Sequence, residues 1–172
     1  LELLTKGLRA LPEKWHGLKD PEIRYRQRYE DLIVNPEVKE VFLKRSVIIR
    51  NIRDFLNNEG YTEVETPILQ PIYGGTSARP FESYLNALNI KVYMRISNEL
   101  YLKRLITGGY EKIFEFSPDF RNEGIDKTHN PEFLQMETMR AYANYEDNME
   151  LLQKMLVAVV KNVLKSTRIK YQ

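Results

Sequence analysis

From Phe120 to Phe133 the chain reads Phe-Arg-Asn-Glu-Gly-Ile-Asp-Lys-Thr-His-Asn-Pro-Glu-Phe, and Gln135, Glu137 and Met139 follow at every second position. On extended backbone, side chains alternate between faces. This places Arg121 with Glu123, and on the return arm Phe133 with Gln135, Glu137 and Met139. One sheet face would then carry a guanidinium, carboxylates, an amide, an aromatic ring and a thioether. A guanidinium fork grips phosphate or carboxylate through paired hydrogen bonds. A ring offers a purine a surface to stack on, and carboxylates accept from an amino group. His129, in the connecting loop, can donate to outer phosphate oxygens. Two readings stay open on the pattern alone: cross-strand ion pairs on a solvated sheet, or a site for a nucleoside triphosphate and an amine-bearing small molecule.

The elements that position these residues are legible from periodicity. Residues 1–34 read as an irregular approach punctuated by Gly7, Pro12, Gly17 and Pro21, with a helical turn at Glu22 to Leu32. Asn35 as cap, Pro36 at the first helical position and Glu37 at the positive dipole end then open a long helix. Its stripe runs through Val38, Val41, Phe42, Ile48, Ile49, Ile52, Phe55 and Leu56, and Gly60 stops it. Tyr61 to Thr66 is β-prone and ends at Pro67. Val92, Met94 and Ile96 alternate as a strand, and Ser97 or Asn98 caps a helix reaching Gly108-Gly109. Ile113, Phe114 and Phe116 lie in another strand, and Asp119 to Glu123, a polar loop and Glu132 to Tyr142 read as a hairpin with long arms. Asn144 caps a last helix with a stripe at Met149, Leu152, Leu156, Val159 and Val163, and Arg168 to Gln172 reads as extended. Hairpin-joined strands pair antiparallel, so the expected class is α+β, an antiparallel sheet flanked by helices.

Composition bounds the chemistry. The 172 residues are 42% hydrophobic and 29% charged, enough for one domain with a core. There is no Cys and there are only two His, which excludes disulfides, thiolate zinc sites, iron–sulfur clusters and Cys nucleophiles. A carboxylate-held Mg²⁺ needs only oxygens and stays possible. No apolar run approaches the roughly 20 residues of a membrane span. Net charge is +2, but between Thr5 and Arg28 the basic residues Lys6, Arg9, Lys14, Lys19, Arg24, Arg26 and Arg28 face only Glu13, Asp20 and Glu22. Such an excess attracts phosphate, and an ordinary solvated loop has the same look.

The stretch from Phe120 to Phe133 resembles motif 2 of the class II aminoacyl-tRNA synthetases. Arg-Asn-Glu-Gly followed by His-Asn-Pro-Glu-Phe is similar to the wording of the lysyl enzymes of subclass IIb. Other segments carry the same resemblance: Leu3-Leu4-Thr5-Lys6, Leu11-Pro12, His16-Gly17-Leu18, and Arg24 to Leu32. So do the long helix with Glu63-Val64-Glu65-Thr66-Pro67, then Gly74 to Phe81, and Glu99-Leu100-Tyr101-Leu102-Lys103-Arg104-Leu105.

The resemblance implies a class II synthetase-like core and an activity that joins lysine to tRNA through an ATP-made adenylate. It implies motif 1 at about 38–67, serving as a homodimer interface, and motif 2 at about 116–142. Residues 1–34 would link to an anticodon-binding domain, and 35–172 would be the N-terminal part of the catalytic domain. Motif 3 and the Mg²⁺ ligands would lie downstream. Carried over by position, Arg121 would hold the ATP α-phosphate and the amino-acid carboxylate. Glu123, His129, Asn130 and Phe133 would bind ATP, with Phe133 against adenine. Gly75 and Glu99 would hold the α-amino group, and Glu137 and Met139 would line the side-chain pocket. The chain departs from the lysyl pattern at Met139, where Tyr is usual, and at Leu134, where Thr is common. A thioether is a poor partner for an ammonium. The expected setting is cytoplasmic. A ligase acting on a non-tRNA acceptor and a non-catalytic dimerisation module are the alternatives.

Overall fold

The computed structural model describes residues 2, 4–7 and 18–169. Leu11-Pro12, His16-Gly17 and the last three residues of the expected extended tail lie outside these. The approach is helical: α1 spans Pro21–Arg26 and α2 spans Arg28–Val34. Asp20 caps α1, accepting from the backbone of Glu22 at 2.8 Å and Ile23 at 3.2 Å.

The long helix is α3, Pro36–Asn58, and Gly60 follows it at φ +81°. Asn35 precedes it but does not cap it with its side chain. Its amide instead donates to Asp31 at 2.7 Å. Asp31 is fully buried, and Arg24 and Arg28 also reach it. Burial pushes that carboxyl up, and the bonds from Asn35 and Arg24 with the two Arg charges more than offset it, holding Asp31 below its ordinary range. The stripe on α3 is buried only in part. Leu56 lies in the core with Ile52 and Phe55 against it, whereas Val41, Phe42, Leu43, Val47 and Ile48 are exposed.

Two three-stranded sheets follow. In the first, β1 (Thr62–Glu63), β5 (Lys112–Phe120) and β6 (Glu132–Arg140) lie in the order β1-β5-β6. In the second, β2 (Leu69–Gln70), β3 (Glu82–Leu85) and β4 (Ile90–Met94) lie in the order β2-β4-β3. The β5–β6 pair is antiparallel, as expected for a hairpin, and β3, absent from the sequence reading, forms a second antiparallel hairpin with β4. β1 pairs with β5 in parallel, which the sequence reading did not anticipate. The intervening chain, with the second sheet and helix α4 (Glu99–Thr107), is long enough for the crossover that parallel strands need.

The β5–β6 register decides which side chains meet. Phe114 and Phe116 on β5 and Met136 on β6 point toward α3 and the last helix, α5 (Tyr145–Leu164). The opposite face brings Glu115 across from Glu137, Ser117 across from Gln135, and Asp119 across from Phe133. A slip of one residue would exchange the two faces, so the apolar packing that fixes the core also fixes the polar side. Asn144 opens α5 with a complete capping box. The core row of α5 is Leu151, Met155, Val159 and Val163, while Met149, Leu152 and Leu156 are exposed. The expected stripe was therefore right at its C-terminal end only.

Candidate active site

β5 ends at Phe120, so Arg121 and Glu123 leave the sheet and stand on the loop to β6. The alternation argument for that pair does not hold, and the pair is brought together by the loop's own anchors. The backbone N–H of Phe120 donates to Arg95 O at 2.9 Å and that of Arg121 to Pro131 O at 2.9 Å. Asn122 donates to Arg79 O at 2.7 Å, and Glu123 Oε1 accepts from the Arg79 backbone at 3.3 Å. Arg121 is half-buried, its guanidinium 5.0 Å from the Phe133 ring centroid and its Nε 3.4 Å from Ile96 O. Among the described residues its terminal nitrogens have no protein acceptor. They are free for an anion.

Arg121, Glu123, His129, Asn130 and Phe133 line one hollow of about 410 Å³. All five residues expected to serve a nucleotide are thus brought together. Gly75, Glu99, Glu137 and Met139 do not line this hollow.

Three of those four gather around Ser97, at the start of α4. Gly75 has φ +95°, and a Cβ there would meet Ser97 Oγ at 2.9 Å and Glu99 Cβ at 3.1 Å. Only glycine lets the backbone run this close. The Ser97 hydroxyl accepts from the Glu99 backbone at 3.1 Å and donates to Glu137 Oε1 at 3.2 Å. Glu99 carries an ion pair with Lys103. Arg121 connects the two clusters, because the Ile96 carbonyl it reaches adjoins Ser97. Met139 is half-buried opposite Ile113 and lies on the Glu137 side of β6.

Burial raises the Glu137 carboxyl above its ordinary range, aided by the charges of Asp119 and Glu99 and opposed by bonds from Ser97 and Gln135. A carboxyl raised on folding contributes stability while protonated, and this is lost as pH rises through its folded pKa. At neutral pH Glu137 therefore costs stability, and a cation beside it would relieve that cost. Glu137→Gln is expected to raise the melting temperature at pH 7, with the gain vanishing near pH 4, as thermal melts across that range would read.

Beneath the site lies a network the sequence reading missed. Arg95 is 2% exposed. It donates to Glu115 at 2.8 Å, to Thr66 O at 3.0 Å and to Pro118 O at 2.9 Å, and it lies 3.2 Å from Asp119. Glu115 also accepts from Thr66 and Asn98. Burial raises the Asp119 carboxyl, with Ser117, Arg95 and Arg121 pulling the other way. The available signal was a single charge within each of two apolar runs, Val92 to Ile96 and Ile113 to Phe116, since lone buried charges require partners. Among the described residues no group of three or more His, Asp or Glu is placed to hold a metal ion. No helix among them is long and apolar enough to cross a membrane.

The sequence profile described as tRNA synthetases class II (D, K and N) matches residues 20–171. The chain is 56% identical over 171 residues to a lysine–tRNA ligase of Clostridium botulinum (strain Langeland / NCTC 10281 / Type F). It is 56% identical to one of Clostridium perfringens (strain SM101 / Type A) and 55% identical to one of Clostridium tetani (strain Massachusetts / E88). Each comparison covers 99% of this chain and 34% of the relative, so the chain spans about a third of the length of the curated relatives it matches. Motif-like segments, a polar sheet face that leads into the Arg121 loop and this match lead to one conclusion: the chain belongs to the class II tRNA synthetase family of the D, K and N enzymes.

Proposed function

We propose that this chain supplies the motif 1 and motif 2 part of a lysine–tRNA ligase, which activates lysine with ATP and passes it to tRNA in the cytoplasm. The observation that carries the reading is Arg121, half-buried with terminal nitrogens unpartnered among the described residues, over Phe133 and within the hollow shared with Glu123, His129 and Asn130. A lysine carboxylate oxygen attacks the α-phosphorus, the bond to the β-phosphate oxygen breaks, and pyrophosphate leaves. Arg121 holds the lysine carboxylate and the α-phosphate together and offsets the charge that grows between them. Phe133 stacks on adenine with Glu123 on the same side, and His129 and Asn130 hold the phosphates. Gly75 and Glu99 hold the α-amino group. Glu137 and Met139 line the side-chain pocket, where the raised Glu137 carboxyl suits a cationic end. The tRNA hydroxyl then attacks the carbonyl of the adenylate and AMP leaves. Mg²⁺, held by carboxylates outside this chain, would supply further charge neutralisation at the phosphates.

Residues 1–34 serve as the link from an anticodon-binding domain, and 35–172 as the N-terminal part of the catalytic domain. The exposed apolar side chains of α3, from Val41 to Ile48, support pairing with a second copy through motif 1, because monomers rarely leave such a patch uncovered.

ATP–pyrophosphate exchange by the full-length protein, run with each amino acid in turn, tests the reading. Exchange dependent on lysine with charging of tRNA is expected. Lysine-dependent exchange without tRNA charging would point to another acceptor. Exchange driven by a different amino acid would overturn the lysine assignment, with Met139 as the first residue to re-examine.

A further inference from the structure

The loop that carries His129 contains an oddity. A hollow suited to polyanions is also lined by a carboxylate, Asp126. Its charge is permanent across the workable pH range: the backbone bond from Thr128, then the His129 side chain and the Thr128 hydroxyl, lower its pKa to about 2. Facing phosphate, such a group would repel the ligand unless its oxygens were already engaged.

They are engaged, and all within the loop. The Thr128 backbone and hydroxyl donate to Asp126 Oδ1 at 2.7 and 2.9 Å, and the His129 backbone donates to the same oxygen at 2.9 Å. The His129 ring nitrogen Nδ1 lies 2.9 Å from Oδ1 and 2.8 Å from Oδ2. The Asp126 N–H closes the turn onto His129 O at 3.2 Å. One carboxylate therefore sets both the loop backbone and the ring of the exposed His129. A carboxylate that accepts from Nδ1–H fixes the ring orientation, and in the imidazolium form Nε2–H is then the donor turned toward a ligand's phosphate oxygens.

We infer that Asp126 is a positioning residue: it clamps the His129 imidazole so that Nε2 meets the outer phosphates of a nucleoside triphosphate. The inference rests on the nucleotide reading above and adds to it a residue that acts through the His129 ring. An unclamped imidazole on an exposed loop would give up rotamer freedom at the moment of binding, whereas the clamped ring has already done so.

The test uses the full-length protein with Asp126→Asn, His129→Gln and the double variant, titrated calorimetrically with ATP and with AMP. Asp126→Asn keeps an acceptor for the turn but removes the charge that grips the ring. It is expected to weaken ATP binding by about tenfold, the scale of one charge-assisted hydrogen bond, with AMP changed less than about twofold. In the His129→Gln background the same substitution should change ATP affinity by less than about twofold, because groups acting through one another are not additive. Unchanged ATP affinity, an equal loss for ATP and AMP, or additive losses in the double variant would each overturn the inference. Lysine-dependent exchange, measured on the same preparations, reports separately on the proposed activity. If exchange is absent while the ATP and AMP pattern holds, the lysine assignment fails and the clamp stands.

Discussion

In the full-length protein, Arg121→Ala is expected to lower the proposed lysine-dependent ATP–pyrophosphate exchange by a factor of about a hundred to a thousand, the range seen when one preorganised donor is removed from a developing charge. The expectation follows from how little else Arg121 does. Among the described residues its Nε bond to Ile96 O is long at 3.4 Å, its guanidinium lies 5.0 Å from the Phe133 ring centroid, and at Asp119 its charge acts behind that of Arg95. A cation–π contact at such a site contributes only about 0.5–1 kcal/mol. The melting temperature should therefore move little, and the loss should fall on turnover. Lysine at this position keeps the charge but not the planar fork that spans a carboxylate and a phosphate together, so Arg121→Lys should recover only a small part of the rate. Near-normal exchange by the alanine variant would refute the role given to Arg121.

The ease with which this site could be read from sequence varied with how local its causes are. The β6 arm, its two faces and the Asn144 cap depend on neighbours two to four residues away, and these were legible. Asn35 looked like a cap for the same local reason, yet a buried carboxylate at Asp31 claimed its amide, a preference set by tertiary burial. On α5 two apolar rows compete, and only the packing of α3 and β5 selects Leu151 and Met155 over Leu152 and Leu156. The approach of Arg121 to Glu123 was expected from strand alternation and arises instead from Arg79, more than 40 residues upstream, whose carbonyl accepts from Asn122 and whose N–H donates to Glu123. What brings Gly75, Ser97, Glu99 and Glu137 together is likewise non-local. Spacing along the chain carries no trace of it, and there family resemblance supplied what periodicity could not. The five residues expected to serve a nucleotide share one hollow because all of them sit within one hairpin and its loop.

Arg95→Met is expected to destabilise the protein by about 3–5 kcal/mol, the cost of breaking a buried ion pair from one side. One guanidinium here faces two carboxylates, Glu115 and Asp119, and also satisfies the carbonyls of Thr66 and Pro118. Methionine fills much of the volume and satisfies none of them. The sign of the pH dependence distinguishes this cause from a packing defect. Burial already raises the Asp119 carboxyl, and Arg95 is one of the charges that restrains the rise. Without Arg95 the folded state binds protons still more readily than the unfolded chain, so stability falls as pH rises through that window. The loss read by urea denaturation should accordingly be largest at pH 7 and shrink toward pH 4, whereas a cavity would cost the same at both. Adding Asp119→Asn to Arg95→Met should recover part of the loss at pH 7, because it removes one of the stranded charges. The Arg95 backbone carbonyl also anchors Phe120, the residue before Arg121, and the side chain grips Thr66 at the end of the motif 1 segment. The variant should therefore lose exchange activity along with stability, and a pH-independent loss of stability would show that charge is not what Arg95 contributes.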